Sequence, residues 1–198
     1  WKRRMQMLKD PGATTITGVG TPAPVTSGSS VASGDSATAP FVTCITAALI
    51  SMTAGVTSAY TIVRRDWEVE LVVEMSTGPN IAEVRHWIGL FNATPNGASN
   101  LNALHGMAFR YATDVDGTAF WRCVTGNNSG ADTVTTTASS IATATVYKLR
   151  IVANNTVPDV KFYVGSTLVA THTGTLPTST QLLGFEQVVT TLAVAAAK

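Results

Sequence analysis

The chain has 198 residues, with 13 Lys plus Arg against 12 Asp plus Glu and a formal net charge of +1. That length suits one domain able to bury roughly 70% of its unfolded surface without disulfides, and so small a net charge gives no long-range field to attract nucleic acid or an anionic membrane. Charged residues are only 13% of the chain, against roughly 25% in ordinary soluble domains, so Thr, Ser and Asn must finish the surface.

The first segment, Trp1 to Leu8, is basic. It reads either as a frayed terminus or as the tail of an element that pairs with something outside the chain, and Trp1-Lys2-Arg3-Arg4-Met5 lacks the long apolar core of a signal peptide. Residues 11 to 40 hold Pro11, Pro22, Pro24 and Pro40 among Gly, Thr and Ser, a composition that resists helix and continuous sheet. Residues 1–40 are therefore expected to form an extended arm and residues 41–198 a β-sandwich domain. Ala47 to Met52 could make one short helix. No run reaches the ~20 apolar residues of a membrane span.

From Phe41 onward, short apolar runs alternate with turn residues every 8–15 positions or so, the signature of a sandwich or barrel. Strands are expected near 41–46, 59–64, 67–76, 84–92, 106–112, 119–125, 146–153, 160–164, 167–172 and 182–190. The clearest is Trp67 to Met75, where Val69, Leu71, Val73 and Met75 share one face and Glu68, Glu70 and Glu74 the other. Tyr147-Lys148-Leu149-Arg150-Ile151 alternates in the same way with basic residues outward, so the acidic and basic strands could pair across a sheet. Three carboxylates on one strand face invite a glycosidase reading, but Val72 interrupts the series, and a solvated sheet face is the simpler account.

No other catalytic constellation is present. His86, His105 and His172 have no metal-ligand spacing, Cys44 and Cys123 allow at most one bridge and read as buried free thiols, and no nucleophile elbow or phosphate loop appears. Asp114-Val115-Asp116-Gly117 resembles the start of a calcium loop without its closing acid and reads better as a turn. No cofactor and no metal are expected, and the chain reads as a non-enzyme.

Binding is the better prospect. Sugar recognition uses exposed aromatic faces and loop amides, and four residues stand out: Trp121, which competes with Phe120 for the core; Tyr163, out of phase with Phe162; and Asn127 and Asn128 in a turn. The sharpest local signal is Val160-Lys161-Phe162-Tyr163-Val164, Gly165-Ser166, Thr167-Leu168-Val169-Ala170-Thr171. It reads as a hairpin whose glycine supplies the positive φ that a type II′ turn needs at its first central position.

With Arg85-His86-Trp87-Ile88-Gly89-Leu90-Phe91, Ala108-Phe109-Arg110-Tyr111, Thr118-Ala119-Phe120-Trp121, Tyr147 to Ile151 and Leu176-Pro177, this hairpin resembles the globular domain of tailed-bacteriophage virion proteins, itself similar to the concanavalin A-like or laminin-G-like jelly roll. The resemblance covers about residues 60–190. It implies an antiparallel jelly-roll β-sandwich serving as a virion structural protein, either a head or tail fibre or a capsid decoration protein, at the virion surface. Implied partners are other virion subunits, contacted through the N-terminal arm, further copies of the chain in a homo-oligomer, and a host surface glycan, with no nucleic acid and no membrane insertion. The alternatives are a carbohydrate-binding module for adsorption and, behind it, a glycan-degrading enzyme.

Overall fold

In the computed structural model the residues described are 77, 81–95, 98–117, 120–154 and 156–192, together with the backbone of nine strands before residue 77. Those nine are β1 (Lys2–Met5), β2 (Leu8–Lys9), β3 (Ile16–Thr17), β4 (Ala23–Ser27), β5 (Ser30–Asp35), β6 (Pro40–Ile45), β7 (Thr53–Thr57), β8 (Ile62–Val63) and β9 (Glu68–Ser76). Then follow β10 (Val84–Phe91), β11 (His105–Ala112), β12 (Phe120–Asn127), β13 (Asp132–Ser140), β14 (Val146–Asn154), β15 (Asp159–Val164), β16 (Thr167–His172) and β17 (Leu182–Thr191). The short-helix expectation at 47–52 lies outside the described residues.

Two sheets make the body. One has five strands in the order β1-β9-β14-β15-β16; the other has eight, β13-β12-β11-β10-β17-β7-β4, with β8 also on β17. Apart from the parallel β1–β9 pair, every pairing in them is antiparallel. This is the jelly-roll sandwich. Acidic β9 lies beside basic β14, in a register that sets Glu74 opposite Lys148 and Val72 opposite Arg150. The one opposite-charge pair, Glu74 with Lys148, favours this register over its neighbours.

Period-two alternation sorts side chains between the sheets. Leu149, Ile151, Ala153, Val160 and Phe162 come from the five-stranded sheet, while Ile88, Leu90, Met107, Phe109, Trp121, Cys123, Leu183 and Phe185 come from the other, and together they form the main core. Its aromatic centre is edge-on: Phe109 meets Trp121 at 6.1 Å and Phe162 at 5.4 Å, and Trp121 meets Tyr147 at 5.9 Å. The hairpin is as expected, with Gly165 at φ +62° between β15 and β16. Cys123 is a free, buried thiol whose desolvation pushes its pKa up.

Two expectations need correction. The first segment pairs within the chain, since β1 runs parallel to β9 with Lys2 opposite Glu68 and Arg4 opposite Glu70. The stretch expected to resist sheet supplies β4, and Pro24 is compatible with it because β4 is the last strand of its sheet among the described residues.

Candidate functional site: the outer face of the eight-stranded sheet

Residues alternating with the main core face outward from the eight-stranded sheet, and they are almost as buried. Arg85, Trp87, Gly89 and Phe91 on β10 lie beside Gly106, Ala108, Arg110 and Ala112 on β11, and these beside Arg122, Val124 and Gly126 on β12. Trp87, Phe91, Leu101, Ala108 and Val124 form a second apolar cluster. What shields them is the β10–β11 connection.

That connection folds back over the sheet and is tied down by its polar groups. Trp87 Nε1 donates to Ala98 O at 2.8 Å, Arg110 Nη1 to Ser99 O at 2.8 Å, and Leu101 N to Asp132 Oδ2 at 2.6 Å. Burial raises the Asp132 pKa, opposed by the Leu101 amide and by Arg110. Gly126 is essential beneath the loop, because a Cβ there would lie 2.6 Å from Leu101 Cβ. The missing side chain makes the space that Leu101, fully buried, occupies.

A second loop covers the charged corner. Asp116 accepts from Arg110 Nε at 2.8 Å and also from Arg110 Nη2, and it lies 3.4 Å from Arg122 Nε, while Arg122 Nη2 donates to the Asp116 carbonyl at 2.8 Å. Arg85 is paired with Asp114, and Arg110 lies over the Trp87 ring at 5.4 Å. Asp116 is thus a clasp for two arginines, which is more than the simple turn its sequence suggested.

Beyond these covers the face opens. Phe120, at the start of β12 on the same side as Arg122, is 37% exposed, with Ser140 across the strand and the 50% exposed Val115 in the clasp loop. The register jumps from Phe120–Ser140 to Arg122–Thr136, so the extra residues lie in β13 and β12 keeps its strict alternation. Phe120 therefore faces outward because Trp121 faces inward.

This corrects the choice between the two aromatics. Trp121 is 0% exposed in the main core and can offer no face to a ligand. The other expected residues are dispersed. Tyr163 is half-buried on the outer side of the opposite sheet, with the Arg150 guanidinium 3.7 Å over its ring. Asn127 and Asn128 lie at the far end of β12, about 23 Å from Phe120 at ~3.3 Å per residue.

Those amides sit on a built rim. Asn128 N donates to Leu104 O at 3.1 Å and Gly130 N to Asn102 O at 3.0 Å, which docks the β12–β13 turn on the covering loop. Asn127 Oδ1 accepts from Ser129 N and Asn100 Oδ1 from Asn102 N, both at 3.2 Å. Asn128 takes φ +60°, a conformation asparagine tolerates.

Of the histidines, His172 is bound from both sides, Nδ1 to Thr125 Oγ1 and Nε2 to Thr135 Oγ1, each at 3.0 Å. Burial pushes the pKa of His172 and of His86 down to about 4. No group of three or more His, Cys, Asp or Glu able to hold a metal occurs among the described residues. The side chains of Glu68, Glu70 and Glu74 lie outside them.

No family model and no curated protein matches the chain. Solved structures do. The chain resembles the carbohydrate recognition domain of Emp46p in its potassium-bound form (TM-score 0.56, 8% identity, 87% of this chain and 82% of that one). It also resembles a glycoside hydrolase family 16 endo-glucanase from Bacteroides ovatus (0.58, 6%, 82% and 72%) and a protein of unknown function from Shewanella oneidensis MR-1 (0.58, 12%, 89% and 73%). At these identities the likeness establishes the fold alone: a concanavalin A-like jelly roll of the lectin and glycoside hydrolase type.

Proposed function

We propose that this chain binds a glycan on the open part of the outer face, with Phe120 as the stacking platform and Arg122 and Ser140 as polar neighbours. The observation that carries the reading is the exposure of Phe120 beside a buried guanidinium–carboxylate clasp, because a fixed aromatic face next to oriented polar groups suits the alternating C–H and O–H faces of a sugar. The folds of the carbohydrate recognition domain and of the endo-glucanase support it.

The activity proposed is binding without hydrolysis. Glu186 and Asp132 also lie on the outer face, but three strands separate theirs, which at ~4.8 Å per strand is roughly 19 Å, beyond the ~5–9.5 Å of paired glycosidase carboxylates. Asp114 and Asp116 are engaged by arginines. A place on a virion surface, with the domain serving adsorption, rests on the sequence resemblance.

A glycan array followed by titration calorimetry tests the proposal. Binding that falls at least tenfold in Phe120→Ala, with an unchanged melting temperature, is expected; no binding to any glycan, or full binding by the variant, overturns it. Release of reducing sugar from a bound glycan would overturn the non-enzymatic part.

A further inference from the structure

The open part of the outer face is bounded by a guanidinium that only shares its counter-ion. Arg110 and Arg122 stand directly opposite each other on β11 and β12, a juxtaposition of like charges that a sheet does not favour. One carboxylate lies between them and is divided unequally: Asp116 accepts two hydrogen bonds from Arg110 and stays 3.4 Å from Arg122 Nε. Asp114 is held by Arg85. Asp132 also attracts Arg110, but it stands four positions along β13 from Thr136, the partner of Arg122, which is about 13 Å at ~3.3 Å per residue.

These contacts use one side of the Arg122 guanidinium. Nε and Nη2 are turned to Asp116, the second donating to its carbonyl at 2.8 Å. Among the described residues nothing accepts from Nη1, which is not buried, and the side chain is 15% exposed. The Nη1–Nη2 edge is the planar fork that meets a carboxylate with two parallel hydrogen bonds. Phe120 precedes Arg122 by two residues on the same face of β12, about 7 Å away, and the exposed Thr136 and Ser140 lie across the strand. None of these neighbours is acidic.

We infer that the glycan taken by this face is acidic: the carboxylate of a uronic or sialic acid closes on the Arg122 fork while the sugar ring lies on Phe120. The inference rests on the glycan-binding reading above and adds the charge of the ligand to it. A neutral sugar would meet the fork with hydroxyls alone and leave Arg122 with its partial counter-ion, whereas a carboxylate supplies the second anion that two opposed arginines call for. The fork is also oriented in advance by the Asp116 carbonyl, so little side-chain freedom is lost on binding.

The test extends the glycan array with matched pairs, oligogalacturonides against their carboxyl-reduced forms and sialyl-N-acetyllactosamine against N-acetyllactosamine, followed by titration calorimetry on the members bound. A carboxylate-bearing glycan is expected to bind tighter than its neutral partner by about tenfold or more, the scale of one charged hydrogen bond, and to weaken as salt rises. Arg122→Gln is expected to bind the acid no better than the neutral form. Binding only to glycans without a carboxylate, or equal binding within each pair, overturns the inference and leaves the glycan reading standing; binding to no glycan overturns both. No loss in Arg122→Gln, or an equal loss toward both members of a pair, overturns the role given to Arg122. Should circular dichroism show that Arg122→Gln fails to fold, the paired glycans and their salt dependence on the parent protein decide the matter.

Discussion

Over most of β10, β11 and β12 the two faces of the eight-stranded sheet are both buried, but by different means. Its inner face is covered by another sheet, with Trp121, Phe109 and Phe162 interlocked; its outer face is covered by loops, chiefly the β10–β11 connection, which inserts the fully buried Leu101. The first cover is bound to its partner along whole strands. The second is held by a few polar ties, at Trp87, Arg110 and Asp132. A lid of that kind can open locally while the sandwich stays intact, so disruptions of the two faces should differ in size and in reach.

The largest expected effect acts through the inner layer. His86 and His172 are held neutral with pKa near 4, whereas in the unfolded chain they titrate near 6.5. Between these values the unfolded state binds more protons, so stability is complete above pH 6.5 and declines as pH falls toward 4, by about 1.4 kcal/mol per pH unit for each histidine. Urea unfolding at pH 7, 6 and 5 measures this, and His172→Asn should remove about half of the slope. A stability independent of pH over that range would contradict the burial of both rings.

Next comes Trp121→Ala, expected to cost about 3–5 kcal/mol and to lower protection from hydrogen exchange on both sheets. Leu101→Ala should cost less, about 2–3 kcal/mol, because the loop can settle onto the space left behind. Its loss of protection should be confined to residues 98–104 and the ends of β11 and β12. If Leu101→Ala melted the whole sandwich as Trp121→Ala does, the two covers would not be distinct. Smallest is Phe120→Ala, within about 0.5 kcal/mol in stability, and its effect should show in glycan binding instead.

Strand positions were legible wherever one face alternates with the other. Val69, Leu71 and Val73 against Glu68, Glu70 and Glu74 announce β9, and Gly165-Ser166 announces its hairpin. β13 was not legible, because Thr133 to Ser140 is almost entirely hydroxyl and small residues whose two faces look alike in sequence. Adjacent Phe120 and Trp121 show that one aromatic faces in and the other out, but only the phase of Cys123 and Thr125 decides which, and neither of those is strongly apolar. The unbroken apolar run Trp87-Ile88-Gly89-Leu90-Phe91 did carry the news of a second cover, since an antiparallel strand buried on both faces reads as continuous. The cover itself, rich in Asn and Ala, looks like any surface loop, and its hold on Arg110 and Asp132 depends on contacts made after folding.

Gly126, with Gly106 beside it, leaves a trough in the sheet where two side chains are missing, and Leu101 sits in it as a stopper. Stopper and trough belong to different parts of the chain yet are coupled by contact, since a side chain at Gly126 would push Leu101 and its loop off the sheet. A shorter link between Phe91 and His105 would hand the vacated hollow, walled by Trp87 and Val124, to a guest molecule while every residue between the sheets stayed as it is.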